Sequence, residues 1–125
     1  AGTLTVNGRV TMDAAGVSVG GAGTTNLNGV ITGGFGVTKV GAGVANLNAA
    51  NLYTGGTSVT AGTLDVGADA NLGDAAGDVT FTGGSLRFSG AFALGAGRAV
   101  IFTSGTGTLN TQANAVTVDG PVSGA

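Results

Sequence analysis

A short phrase returns about every twenty residues along the chain, and that periodicity restricts the fold more than any other feature. Ala1-Gly-Thr-Leu-Thr-Val recurs as Ala22-Gly-Thr-Thr-Asn-Leu, Ala42-Gly-Val-Ala-Asn-Leu and Ala61-Gly-Thr-Leu-Asp-Val, then more loosely as Gly84-Ser-Leu-Arg-Phe and Gly107-Thr-Leu-Asn-Thr. The marker glycines Gly2, Gly23, Gly43, Gly62, Gly84 and Gly107 lie 21, 20, 19, 22 and 23 residues apart. Short Thr/Val/Leu segments between Gly-rich corners at one period are the sequence form of a parallel β-solenoid. A second series runs in step: Val17-Ser-Val, Val37-Thr-Lys-Val, Thr57-Ser-Val, Val79-Thr-Phe, Val100-Ile-Phe and Val116-Thr-Val. Less regular pieces, Val10-Thr-Met, Val30-Ile-Thr and Leu52-Tyr-Thr, suggest a third face.

Period-2 alternation assigns the faces of the first series. With the apolar positions inward, one core column is Leu4, Thr25, Ala45, Leu64, Leu86 and Leu109, and its neighbour is Val6, Leu27, Leu47, Val66, Phe88 and Thr111. The position between them reads Thr5, Asn26, Asn46, Asp65, Arg87 and Asn110, polar throughout, as an outward row should be. Asn7, Asn28 and Asn48 follow directly, and their amides are expected to form a hydrogen-bonded turn ladder between coils. A helical reading fails on the 27 glycines, because each costs about 1 kcal/mol relative to Ala in a helix interior. An antiparallel sandwich predicts strands of varied spacing without this register. Residues 1–125 therefore read as one all-β segment, a parallel β-helix (β-solenoid) of about six coils of 19–23 residues.

Composition removes much chemistry. There is no His and no Cys, so a Ser-His triad, a thiol nucleophile, a Cys/His zinc site and a disulfide are all excluded. A net charge of −2 offers no basic surface for nucleic acid or anionic lipid. No apolar run is long enough to span a membrane as a helix. The richest acidic stretch places Asp69, Asp74 and Asp78 near Asp65, and these are the weak candidates for calcium. The EF-hand and Gly-Gly-x-Gly-x-Asp patterns are absent, so a solvated turn is the expected reading. Asp65 and Arg87 fall in successive outward rows and read as a surface ion pair rather than catalytic groups. No cofactor is expected.

The stretch Gly36-Val-Thr-Lys-Val-Gly-Ala-Gly-Val-Ala-Asn-Leu-Asn-Ala-Ala-Asn-Leu-Tyr-Thr-Gly-Gly-Thr-Ser-Val-Thr-Ala-Gly-Thr-Leu-Asp-Val66 resembles the autotransporter-associated β-strand repeat, also called the passenger-associated transport repeat. Thr38, Lys39, Gly41, Gly43, Leu47, Asn51, Tyr53, Gly55, Thr57, Val59, Gly62, Thr63 and Leu64 fall on its pattern. Val37 replaces a Leu and Val44-Ala45 replaces Thr-Leu, exchanges that bear on packing. The resemblance implies a right-handed parallel β-helix in the secreted passenger of a type V secretion protein, outside a Gram-negative cell. It implies a structural stalk that assists passenger folding and display, within a longer repetitive passenger. Two alternatives share this fold: an extracellular fibre module whose uncapped ends stack on identical chains, and an adhesin whose Thr/Asn faces bind host or matrix ligands. Tyr53, with its polar tip, is expected either to brace a corner or to line such a surface.

Overall fold

The computed structural model describes residues 2–103 and 106–124. Its strands wind into a parallel solenoid of about six coils. One six-stranded sheet stacks β1 (Thr3–Val6), β4 (Thr24–Leu27), β7 (Val44–Leu47), β9 (Thr63–Val66), β11 (Ser85–Phe88) and β14 (Thr108–Asn110) in that order. The second stacks β3 (Val17–Val19), β6 (Val37–Lys39), β8 (Thr57–Val59), β10 (Val79–Phe81), β13 (Val100–Phe102) and β16 (Val122–Gly124). A third side is intermittent: β2 (Val10–Met12) pairs with β5 (Ile31–Gly33), and β12 (Ala93–Leu94) with β15 (Thr117–Val118). Every strand pair is parallel, as identical coils rising in one direction require. Among the described residues the single helical turn is a 3-10 turn at Asp69–Leu72.

The register of the first sheet follows the sequence columns. Leu4 pairs with Thr25, Thr25 with Ala45, Ala45 with Leu64, Leu64 with Leu86 and Leu86 with Leu109. Val6, Leu27, Leu47, Val66 and Phe88 pair in the same way. Burial of these columns depends on having a coil on both sides. Leu47, Leu64, Val66, Leu86 and Phe88 are fully buried and Leu27 nearly so, each worth about 1.5–3 kcal/mol relative to exposure. Leu4 departs from its expected place in the core: it is 61% exposed, with no strand packed beyond β1 on that side among the described residues. Val6 and Leu109 are half-buried at the two ends of the stack.

One other expectation needs correction. Val116-Thr-Val does not continue the second series. Val122–Gly124 takes that place against β13, and Thr117–Val118 pairs on the third side with Ala93–Leu94. The coil lengthens there, and a strand at Val116 would arrive too early to complete the circuit. On the third side Val10 pairs with Ile31. That side carries on past β5 by backbone bonds from Leu52 N to the Ile31 oxygen and from Thr54 N to the Gly33 oxygen. Inside the second sheet Phe81 and Phe102 stack, with centroids 5.0 Å apart.

Candidate functional site

The residues that carry the sequence motif meet inside the solenoid. Lys39 lies on the inward parity of β6, in register between Val19 and Val59, and is fully buried. Its stem fills a slot in an apolar column. Its ammonium reaches the corner and donates to the carbonyl oxygens of Val40 (2.6 Å), Gly41 (2.9 Å) and, one coil on, Ala61 (3.4 Å). No carboxylate pairs with it among the described residues. Burial therefore pushes its pKa below the ordinary lysine value.

Asn51 joins three levels of the stack. Its Oδ1 accepts from Ile31 N (2.9 Å) in the coil before, and its Nδ2 donates to the Asn71 carbonyl (2.7 Å) in the coil after. Asn71 repeats the device: Nδ2 donates to the Ala49 oxygen, while Oδ1 accepts from Gly67 N and Ala68 N. These amides satisfy backbone groups that a corner would otherwise bury unpaired.

Tyr53 is fully buried, and its hydroxyl lies 2.6 Å from Thr57 Oγ1, also buried. Its ring braces the interior rather than lining a surface. Burial raises the phenol pKa to about 12, against the smaller opposing effect of the Thr57 bond. Gly73, in the next coil, makes room: its φ is +82, and a Cβ there would sit 3.1 Å from the Tyr53 ring. At Gly43 a Cβ would run into the Gly23 carbonyl oxygen, and at Gly55 into the Phe35 backbone. Gly41 and Gly62 turn corners at φ +72 and +65. Thr38 and Thr63 stand on the outward parity of β6 and β9, half-exposed.

The outer surface is ordered by amides. Asn28 Nδ2 donates to Asn7 Oδ1 (2.9 Å) and Asn48 Nδ2 to Asn28 Oδ1 (2.8 Å). Asn46 Nδ2 donates to Asn26 Oδ1 (2.7 Å) in the outward row. That row continues with the ion pair between Asp65 and Arg87.

The acidic residues do not converge. Asp69 is held by Arg98, Asp78 accepts from Ala99 N, and Asp74 caps Ala76 N within its own turn. No group of three acidic side chains able to hold a metal ion forms among the described residues. The oxygens of Asp69, Asp74 and Asp78, the calcium candidates, bond atoms of the chain itself.

Arg98 is the main feature that the sequence reading missed. Its guanidinium is fully buried. Nε donates to Asp69 Oδ1 at 2.9 Å, Nη1 to the carbonyls of Leu72 and Gly77, and Nη2 to Asp69 and the Gly73 carbonyl. The 3-10 turn thus closes around a cation supplied by the following coil. One signal was available: Arg98 immediately precedes the strand segment Ala99-Val100, where the coil before has Asp78-Val79, and it breaks an otherwise apolar or glycine-rich stretch.

Comparisons with known proteins agree with this geometry. The passenger-associated transport repeat family matches residues 37–66, the segment that contains Lys39, Asn51, Tyr53 and Thr57. The chain is 41% identical over 110 residues to the adhesin BmaC autotransporter of Brucella suis, an alignment covering 87% of this chain. The chain spans only 3% of the length of that relative. No solved structure matches it. Residues 37–66 are a passenger-associated transport repeat, and the solenoid built around them is a segment of the autotransporter passenger type.

Proposed function

We propose that this segment is a spacer in a passenger displayed outside a Gram-negative cell, and that its interior polar residues template each coil on the one before. The observation that carries this reading is the pair of six-stranded ladders in continuous register, with motif side chains that bond the coils above and below instead of facing solvent. Such a stack is stabilised by nearest-neighbour interfaces, so length can be added without new chemistry. Its fold also accommodates a polar exterior that needs no cleft.

A second reading is that the exterior itself adheres. The name of the Brucella suis relative favours it, since that protein is called an adhesin, and the outward Asn26, Asn46, Asp65 and Arg87 form an ordered polar strip. One experiment separates the two. The immobilised chain and a variant with Thr24, Asn26, Asn46 and Thr63 exchanged for serine are compared for retention of host cells and matrix proteins, with melting measured in parallel. A spacer retains nothing in either form. Retention by the parent that the variant loses at unchanged melting would establish the adhesive reading.

A further inference from the structure

Where the coils begin to lengthen, the stack leaves a hollow on its outer surface. The path from Gly73 to Val79 is two residues longer than the path from Tyr53 to Thr57 on which it rests. The surplus forms an exposed turn, closed by a bond from Gly77 N to the Asp74 oxygen (2.9 Å). That turn is one wall of a groove of about 300 Å³, which Thr54, Gly56, Ser58, Asp78 and Thr80 complete. The groove lies inside the stack rather than at an end of it, since β6 packs beyond β8 and β13 beyond β10.

Its polar side chains converge without partners in the chain. Ser58 and Thr80 are register partners on the outward parity of β8 and β10, about 4.8 Å apart at one strand spacing. Thr57, Thr60 and Thr103 have their hydroxyls engaged, whereas those of Thr54, Ser58 and Thr80 bond no group of the chain among the described residues. Asp78 has the same outward parity, two residues before Thr80. Its Oδ1 accepts from Ala99 N at 2.9 Å, which fixes the carboxylate, and Oδ2 has no partner among the described residues. The column one residue ahead of the second sheet reads Gly16, Gly36, Gly56 and then Asp78. Gly56, with φ +82, therefore leaves the space beside the carboxylate open.

These groups select among ligands. Hydroxyls that donate and accept, set beside a carboxylate that only accepts, match a molecule carrying several hydroxyls on one rigid face. A calcium ion takes about six to eight oxygen ligands and would find one carboxylate here. An anion would meet Asp74 and Asp78 without a compensating cation, because the guanidinium of Arg98 is buried and held by Asp69 and carbonyl oxygens. The volume stands at the low end of ligand pockets, which suits one sugar ring. We propose that the groove binds a neutral sugar unit, with Asp78 Oδ2 accepting from a sugar hydroxyl and Ser58 and Thr80 bonding its neighbours. The site is on the second sheet, so it does not depend on whether the strip of the first sheet adheres.

The test follows backbone amide shifts of the isotope-labelled chain by NMR. Methyl glycosides of glucose, galactose, mannose and N-acetylglucosamine are added in turn, then calcium chloride and methylammonium chloride. At least one glycoside is expected to move the amides of residues 54–58 and 76–80, with a dissociation constant in about the millimolar range because no aromatic ring lines the groove for stacking. Asp78→Asn keeps an acceptor for Ala99 N, so it should weaken binding about tenfold at unchanged melting through loss of the charged acceptor. Ser58→Ala should also weaken it, while Thr38→Ala, in the same hydroxyl row but outside the groove, should leave it unchanged. The proposal is overturned if none of the four glycosides moves these amides, if shifts gather on the first sheet instead, or if only calcium or methylammonium acts at the groove. Undiminished binding in both Asp78→Asn and Ser58→Ala would overturn it as well.

Discussion

From β4 to β9 the coils are short and regular, and like meets like across them: Asn46 on Asn26, Asn48 on Asn28, Leu47 on Leu27. From β9 to β14 the coils lengthen, the outward amides give way to the Asp65 and Arg87 pair, and a 3-10 turn fills the corner around a buried guanidinium. Regular spacing lets small identical groups satisfy one another. Once a coil takes on extra residues, its additional carbonyls no longer find backbone partners one strand spacing away, and a long multidentate donor collects them. Arg98 is that answer in the lengthened coils; Lys39 collects corner carbonyls within the regular ones, without a carboxylate partner.

The comparison can be broken at its centre. Leu47→Asp forces an unpaired carboxylate into the column common to both regions and is expected to unfold the segment, by more than about 4 kcal/mol; a retained cooperative melt would contradict the inward assignment. Arg98→Ala should follow, at about 3–5 kcal/mol, because it strands Asp69 and several buried carbonyls together. Hydrogen exchange then locates the loss, which should centre on residues 69–77 and spare the ladder at Asn28. Lys39→Met keeps the apolar stem and leaves only corner carbonyls unpaired, so about 1–3 kcal/mol is expected in chemical denaturation.

Alkali sharpens the contrast further. The Tyr53 phenol titrates near 10.0 when unfolded and near 12 when folded. As pH rises through that window the unfolded state loses its proton first, so stability falls, by about 1.4 kcal/mol per pH unit. Lys39, whose pKa burial lowers from its ordinary value, acts in the opposite sense, because the folded state deprotonates first and burial of the charge is relieved. Subtracting the pH profile of Tyr53→Phe from that of the parent isolates the falling limb; a flat difference would place the phenol in water. The smallest effect is expected from Asn46→Asp, about 0.2–1 kcal/mol in melting, since the new carboxylate stands beside Asp65 but Arg87 lies one row further on.

Much of the first sheet could be read from alternation alone, because Leu64, Asp65 and Val66 present opposite faces at a period of two and their neighbours do so in register. The last strand of the second sheet could not. Val116-Thr-Val has better strand composition than Val122-Ser-Gly, and only closure of the circuit selects the latter. Buried polar residues were harder still. Lys39 has inward parity in Val37-Thr-Lys, yet hydropathy places lysine outside, and the carbonyls that make its burial tolerable exist only after the corner has formed. Asp69 and Arg98 come together across a coil boundary with no spacing rule between them. Asn71 carried a fainter mark, as Asn71-Leu72 repeats Asn51-Leu52 one coil later.

The stacking of coils also dictates how the segment bears load. Tension along the axis pulls across the strands, so rungs open in sequence like a zipper rather than shearing together, and extension proceeds coil by coil at modest force. Arg98 interrupts that sequence, because its guanidinium ties its own coil to the turn of the coil before through six acceptors at once. Single-molecule stretching should record a series of small steps with one taller rupture, and Arg98→Ala should level it; a trace already level in the parent would show that the clamp carries no tension.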